Sequence, residues 1–213
     1  MHIAEGYLST PVLLGGAALA AGGVAMGLRR MDYERVPQVA VLSSALFVAS
    51  LIHVSIGPTS THLILNGLAG LILGWSVFPA LLISLLLQAI LFGYGGLTTL
   101  GVNTVNMALP GVICWWLFHR GVVSTRNETT AFAFGGLSGA LAVALGAALT
   151  GVSLLMCGAE FRVAAVGMVT THLPVMAIEG LVTGSVVVFV RKVRPELFGG
   201  TRHFPPVADE PAR

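Results

Sequence analysis

The sequence predicts an all-α membrane bundle of about seven transmembrane helices, and three observations predict it. Hydrophobic residues fill 55% of the 213 positions and charged ones 9%, with a mean hydropathy of +0.90. A water-soluble domain of this size has no core large enough to hide that much apolar surface. The apolar residues also fall in long, unalternating runs, whereas strands of a membrane barrel alternate apolar and polar over about ten residues. Finally, unpaired backbone N–H and C=O groups are too costly in hydrocarbon, so runs of this kind fold as helices. The pI of 8.8 invites a nucleic-acid reading. It fails because the basic residues sit at helix ends and form no interleaved patch.

About 20 apolar residues cross a bilayer, and the candidates are taken in chain order. The first segment, Thr10 to Leu28, is closed by Arg29-Arg30. Glu5 precedes it, the reverse of the charge order of a cleaved signal peptide, so the first residues are expected to be retained. Val36 to Ile52 follows, then a short third segment from Thr61 to Trp75 that His62 opens. The fourth and fifth run from Phe78 to Leu97 and from Asn103 to His119, and the sixth from Thr129 to Met156. Arg162 to Val190 is interrupted at Thr171-His172-Leu173-Pro174, where proline removes a backbone donor and bends the helix. Residues 1–194 thus form one transmembrane domain, and the polar, proline-rich tail at 195–213 reads as a mobile cytoplasmic extension. Cys114 in an apolar run and Cys157 near a helix end read as packing residues rather than a disulfide.

Lysine and arginine near helix ends stay in the cytoplasm. With seven spans, Arg29, Arg30, Arg35, Arg120, Arg126, Arg191, Lys192 and Arg194 all share one side, and the other holds Arg162. The N-terminus is therefore expected outside and the C-terminus inside, in a multi-pass protein of the cytoplasmic (inner) membrane. Against that topology His2, His53, His62 and His172 fall on or near the outer side, while His119 and His203 fall inside. Several neutral imidazoles near one mouth suit a borderline divalent metal, where magnesium and calcium want oxygen. For any single histidine, tolerance of the membrane interface explains its place equally well.

The start Met1-His2 adds a chelate. A histidine in second position offers the terminal amine, its own amide nitrogen and Nδ1, closing unstrained five- and six-membered rings. A fourth nitrogen, expected from His62 after the turn Gly57-Pro58-Thr59-Ser60-Thr61, completes a square plane. Such planes are typical of nickel and copper and accommodate cobalt(II) when the protein imposes them.

The stretch Met1-His2-Ile3-Ala4-Glu5-Gly6-Tyr7-Leu8 resembles the N-terminal signature of the CbiM/NikM family, the metal-binding S components of cobalt and nickel energy-coupling-factor (ECF) transporters. Gly57-Pro58-Thr59-Ser60-Thr61-His62-Leu63, the run from Gly95-Gly96 to Leu109-Pro110, and Thr171-His172-Leu173-Pro174 are similar to further family motifs in the same order. The resemblance covers nearly the whole chain apart from its tail. It implies an N-terminus folded into the bundle and a metal held by Met1, through its amine, by His2, through amide and imidazole, and by His62. Asn66-Gly67-Leu68 looks closer to the cobalt branch, so Co(II) for cobalamin synthesis is the expected substrate and Ni(II) the alternative. Around these ligands His53, Asn103, Asn106, His172 and Glu179 are candidate supports. Glu179, seven residues from His172, either hydrogen-bonds a ligand histidine or locks its helix. Asn103 and Asn106 either cap the fifth helix or steady the inserted N-terminus.

Uphill transport needs energy, and a Walker A motif needs a lysine after glycine, whereas the one lysine, Lys192, follows Arg191. The chain is therefore read as no enzyme and no ATPase. The resemblance implies a transmembrane T component, a cytoplasmic ATPase pair and often a small accessory membrane subunit. The alanine stripes Ala17, Ala21, Ala25 and Ala140, Ala144, Ala148 are candidate packing or docking faces. Two rivals are a metal carrier or channel working alone, and an intramembrane protease built on Ser138 in Gly136-Leu137-Ser138-Gly139 with His172.

Overall fold

The computed structural model describes residues 2–56 and 59–199, with the side chains of residues 53–56 and 59–61 outside the description. Met1, Gly57, Pro58 and residues 200–213, His203 among them, lie outside it. Seven α-helices and one hairpin are found among the described residues: α1 (Thr10–Arg29), α2 (Val36–Ala49), β1 (His53–Ile56), β2 (Thr59–His62), α3 (Asn66–Leu73), α4 (Val77–Phe92), α5 (Leu100–Ser124), α6 (Glu128–Leu155) and α7 (Arg162–Val193). Five stretches are long and apolar enough to cross a membrane: Thr10–Arg29, Asn66–Phe92, Leu100–Ser124, Glu128–Leu155 and Ala159–Val193. In the second of these, α3 and α4 join through a single turn at Gly74–Ser76. The 14 residues of α2 reach about 21 Å at 1.5 Å per residue, short of the hydrocarbon thickness.

Three boundaries differ from the sequence expectation. His62 does not open the third helix; it ends β2, in antiparallel register with His53, and α3 begins four residues later at Asn66. The β-branched Val54, Ile56, Thr59 and Thr61 favour that hairpin locally. The fourth helix stops at Phe92, because Gly93 takes a left-handed conformation with φ +67° and closes it. The seventh is not interrupted: α7 runs through Pro174. Hydroxyls of Thr170 and Thr171 bond the carbonyls of Val166, Gly167 and Met168 one turn upstream.

Close backbone approach holds the bundle together, as expected where lipid removes the hydrophobic drive between helices. α6 lies on α7 through facing glycines. A Cβ at Gly139 would sit 2.5 Å from the Glu179 carbonyl, and one at Gly180 3.0 Å from that of Gly136. Ala140 joins this contact, 3.5 Å from the same point on Gly180. On α1 the packed positions are Gly16, Ala20, Gly23 and Gly27, and the stripe Ala17, Ala21, Ala25 is exposed.

At the centre lies α3, with all eight residues buried. Asn66 donates to the Met107 carbonyl at 3.1 Å and Ser138 to the Gly67 carbonyl at 3.2 Å. At the other end Arg35 donates to Ile72 O at 3.2 Å and His119 Nδ1 to Leu71 O at 2.9 Å. The first residues of the expected mobile tail belong to this packing. Pro195–Phe198 form a 3₁₀ turn, Phe198 is 3% exposed in the core, and Gln38 donates to Leu197 O at 3.1 Å. Burial of that phenyl ring explains why the tail does not start at Pro195.

Gly70 meets the backbone of Gly111 with no room for a methyl group, whereas Gly22 has nothing within 4 Å of its Cβ direction. Gly70→Ala is expected to lower the thermal unfolding midpoint in detergent, at an overpacking cost of about 1–3 kcal/mol. Gly22→Ala leaves it unchanged or slightly raised. Equal midpoints for the two variants would disprove the α3–α5 approach.

Candidate metal site

The site is built from two pieces of chain that approach from opposite directions. The first is the segment before α1. Asn103, one turn inside α5, accepts from Ile3 N–H at 3.0 Å and donates to Ile3 C=O at 3.0 Å, standing in for a β-strand neighbour. Ile3 is 3% exposed and packs with Leu8, Val102, Leu154 and Ala165. Glu5 accepts from the backbone N–H of Thr98 at 3.1 Å and from its hydroxyl at 3.3 Å. The Thr98 backbone donor holds the Glu5 carboxyl below the usual carboxylate range. Gly95 and Gly96 form the floor. Gly95 has φ +80°, and a Cβ there would press on the Asn103 amide 3.1 Å away, while Gly96 lies against the Glu5 side chain. Ser9 N–H reaches Cys157 Sγ at 3.2 Å, and both cysteines are unbridged.

The second piece is the end of the hairpin. His62 is buried, and its Nδ1 lies 2.9 Å from Leu63 O. A carbonyl can only accept, so Nδ1 carries the proton and the neutral ring keeps its lone pair on Nε2. The His2 and His62 rings stack at 4.9 Å between centroids and 18° between planes. That spacing suits two imidazoles serving one ion with metal–nitrogen bonds of about 2 Å.

Glu179 is fully buried on α7 and accepts from the backbone N–H groups of Ile64 and Leu65, the latter at 3.0 and 3.1 Å. Its partner is thus the backbone that follows His62 rather than a histidine ring. Leu65 turns the chain into α3 with φ +53°, the one non-glycine residue with positive φ among those described. A side chain in that region is strained, and the carboxylate offsets the strain by holding both flanking donors. His172 lies two turns above Glu179 on α7, which packs against β2. Its Nδ1 donates to Met168 O at 2.7 Å, and its Nε2 is buried with no hydrogen-bond partner among the described residues.

The other expected supports fall as follows. Asn103 does not cap α5, which starts three residues earlier at Leu100, but pins the inserted segment. Asn106 caps nothing either; it exchanges hydrogen bonds with Ser153 of α6 at 3.3 and 3.4 Å. His53 sits opposite His62 in the hairpin backbone, with its side chain outside the description, as is Met1. Ser138 is fully buried and donates to α3 rather than to His172, which removes the protease geometry. Residue-type reasoning missed Thr98. Its only signal was its place in the Gly95-Gly96-Leu97-Thr98 motif. Among the described residues no three His, Cys, Asp or Glu side chains gather into a metal cage.

The stacked histidines lie at one end of a helical bundle with five stretches long and apolar enough to cross a membrane, the frame of a membrane protein. Residues 2–197 match the family described as the cobalt uptake substrate-specific transmembrane region, CbiM, and the chain belongs to that family. It is a cobalt or nickel transport membrane protein, not an enzyme. A Haemophilus influenzae protein assigned to metal transport is 42% identical, over 96% of this chain and all of its own length. The cobalt transport protein CbiM of Sorangium cellulosum is 31% identical over 92% of this chain and 94% of its own. The fused nickel transport protein NikMN of Rhodobacter capsulatus is 32% identical over 95% of this chain and 65% of its own. A crystal structure of a transition metal transporter superposes with a TM-score of 0.69 at 26% identity, covering 91% of this chain and 93% of that one. A truncated transition metal transporter gives 0.72 at 23% identity over 92% and 99%, which shows the shared fold.

Asn103→Ala and Glu179→Ala are expected to separate the two halves. Asn103→Ala releases the terminal segment, cutting Co(II) affinity about tenfold or more with a small change in unfolding midpoint. Glu179→Ala orphans two buried N–H groups at about 1–3 kcal/mol each, lowering midpoint and affinity together. Equilibrium dialysis beside thermal unfolding reads both, and identical profiles for the two variants would contradict the division.

Proposed function

We propose that this chain is the substrate-binding membrane subunit of an ECF-type importer, capturing Co(II) from the outer side of the cytoplasmic membrane for cobalamin synthesis. The observation that carries the reading is the His2–His62 stack, with the His62 tautomer fixed so that Nε2 holds the lone pair. The Met1 amine and the His2 amide and Nδ1 supply the remaining nitrogens of a plane. Ni(II) is the alternative cargo, since curated relatives are named for each metal. Raw affinity favours nickel and copper over cobalt at such a site, so selection of cobalt rests on imposed geometry and supply.

The arginines at the ends of α1, α5 and α7 support an outside N-terminus. Energy comes from partners: a T component receives the ion, a cytoplasmic ATPase pair drives it, and a small accessory membrane subunit completes the assembly. The sequence supports this, since a Walker A lysine follows glycine and the one lysine, Lys192, follows Arg191.

Equilibrium dialysis with Co(II) and Ni(II) on protein with its native N-terminus, a form extended by one residue, and His62→Ala tests the ligand set. Loss in both altered forms is expected; full binding by the extended form would sink the amine. Affinity is also expected to fall as pH drops through about 6.5, where imidazoles protonate. Glu5 has a lowered pKa. Its contribution to the native state is therefore present above the ordinary carboxylate range and lost only as pH falls through that lowered value. The Glu5–Thr98 contact thus stays intact between pH 7.5 and 5.5, and loss there reports the nitrogens. A flat affinity across that window would contradict nitrogen ligation.

A further inference from the structure

All three tryptophans of the chain, Trp75, Trp115 and Trp116, line one cavity of about 990 Å³ at the end of the bundle opposite the paired histidines. Arg30, His119 and Arg120 form its polar part. The Arg30 guanidinium lies over the Trp75 ring, 5.4 Å from its centroid. An adjoining cavity of about 200 Å³ shares Arg30 and Trp75 and adds Arg35. Among the described residues no carboxylate lines either cavity, and the ion pairs found there, Lys192–Glu128 and Arg194–Glu196, involve none of these arginines.

Guanidiniums gathered without acids beside an apolar wall call for an anion with an apolar body. The cavity opens sideways, since Trp116 is 79% exposed and Leu117 53%, on a helix that the family places in the membrane. Tryptophans take the headgroup level of a bilayer, and basic pockets between transmembrane helices bind anionic headgroups. A zwitterionic lipid brings its own ammonium against the arginines. An acidic segment of a partner protein would satisfy the charge yet leave the Trp116 and Leu117 wall facing lipid. We propose that this groove holds an anionic phospholipid, its phosphate on Arg30 and Arg120 and an acyl chain along Trp116 and Leu117. The lipid then bridges the end of α1 to the last turns of α5, beside the Arg35 that closes α3.

Because every tryptophan lies here, the full chain reports its own site. It is placed in nanodiscs of phosphatidylcholine containing a fixed minor fraction of brominated phosphatidylglycerol, or the same fraction of brominated phosphatidylcholine, and tryptophan emission is titrated. The anionic quencher is expected to be preferred roughly tenfold or more, as two basic residues near a lipid surface supply. Arg30→Gln with Arg120→Gln brings the two quenchers to parity, and Arg30→Lys with Arg120→Lys restores the preference in large part. Each single glutamine variant lowers it part-way, so the reading does not depend on the double variant folding. Equal quenching in the unaltered protein would overturn the proposal and leave the arginines to an acidic partner segment. So would a preference that survives the double glutamine variant.

Discussion

The contact between the Glu179 carboxylate and the backbone N–H groups of Ile64 and Leu65 is the constraint on which the rest of the site depends. α3 begins and ends inside the bundle, and all of its residues are buried. Its orphan N–H groups have no water to turn to, and an unsatisfied group in such surroundings costs several kcal/mol. The Glu179 carboxyl answers the one at Leu65, together with the Ile64 N–H just before the helix, and sits at the positive end of the helix dipole. At the far end Arg35 and His119 bond the last carbonyls. The helix is thus held at both ends by side chains of α7, α5 and the turn before α2. His62, two residues before Ile64, has its backbone fixed by the same contact.

The terminal segment solves the same problem with weaker means. Residues 2–9 form neither helix nor strand, so their polar backbone must be met by side chains. Asn103 supplies donor and acceptor to Ile3 together, a role for which its amide is suited and a carboxylate is not. The glycines at 95 and 96 let the segment lie flat on the loop, where any Cβ would push the Asn103 amide or the Glu5 chain away. Those glycines therefore belong to the site as much as the imidazoles do.

Much of this was legible in the residues. Apolar runs overlap each α-helix found among the described residues, because hydrocarbon leaves the backbone one solution over such lengths, though five stretches rather than seven are long and apolar enough to cross a membrane. The start of α3 was not legible. Nothing in Thr61-His62-Leu63-Ile64-Leu65 forbids a helix; what forbids it is Glu179, more than a hundred residues away, which takes the donors that a helix would share. Leu65 in a left-handed conformation has no sequence signal either, since glycine or asparagine is the usual occupant. His2, His62 and Glu179 were recognisable as residue types, but only the tertiary contact separates a carboxylate that orients a ring from one that caps a helix. Asn103 was readable as a polar residue with work to do, and which work depends on where Ile3 lies.

The two halves of the site are held by different kinds of bond, and the difference sets how it can open. The His62 half is tied to a fully buried carboxyl group through two backbone donors, and hydrogen bonds in low dielectric are stronger than in water. The His2 half rests on a neutral amide pair, each bond worth about 0.5–1.5 kcal/mol, and on Glu5–Thr98 bonds at the exposed rim, where solvent screens them. A mouth made this way has one fixed lip and one detachable lip. The contacts of Ile3, Glu5 and Ser9 are separate from those that hold α3 to Glu179. The His62 and His172 rings have their Nδ1 protons committed, His62 to Leu63 O and His172 to Met168 O. Each keeps a lone pair on Nε2.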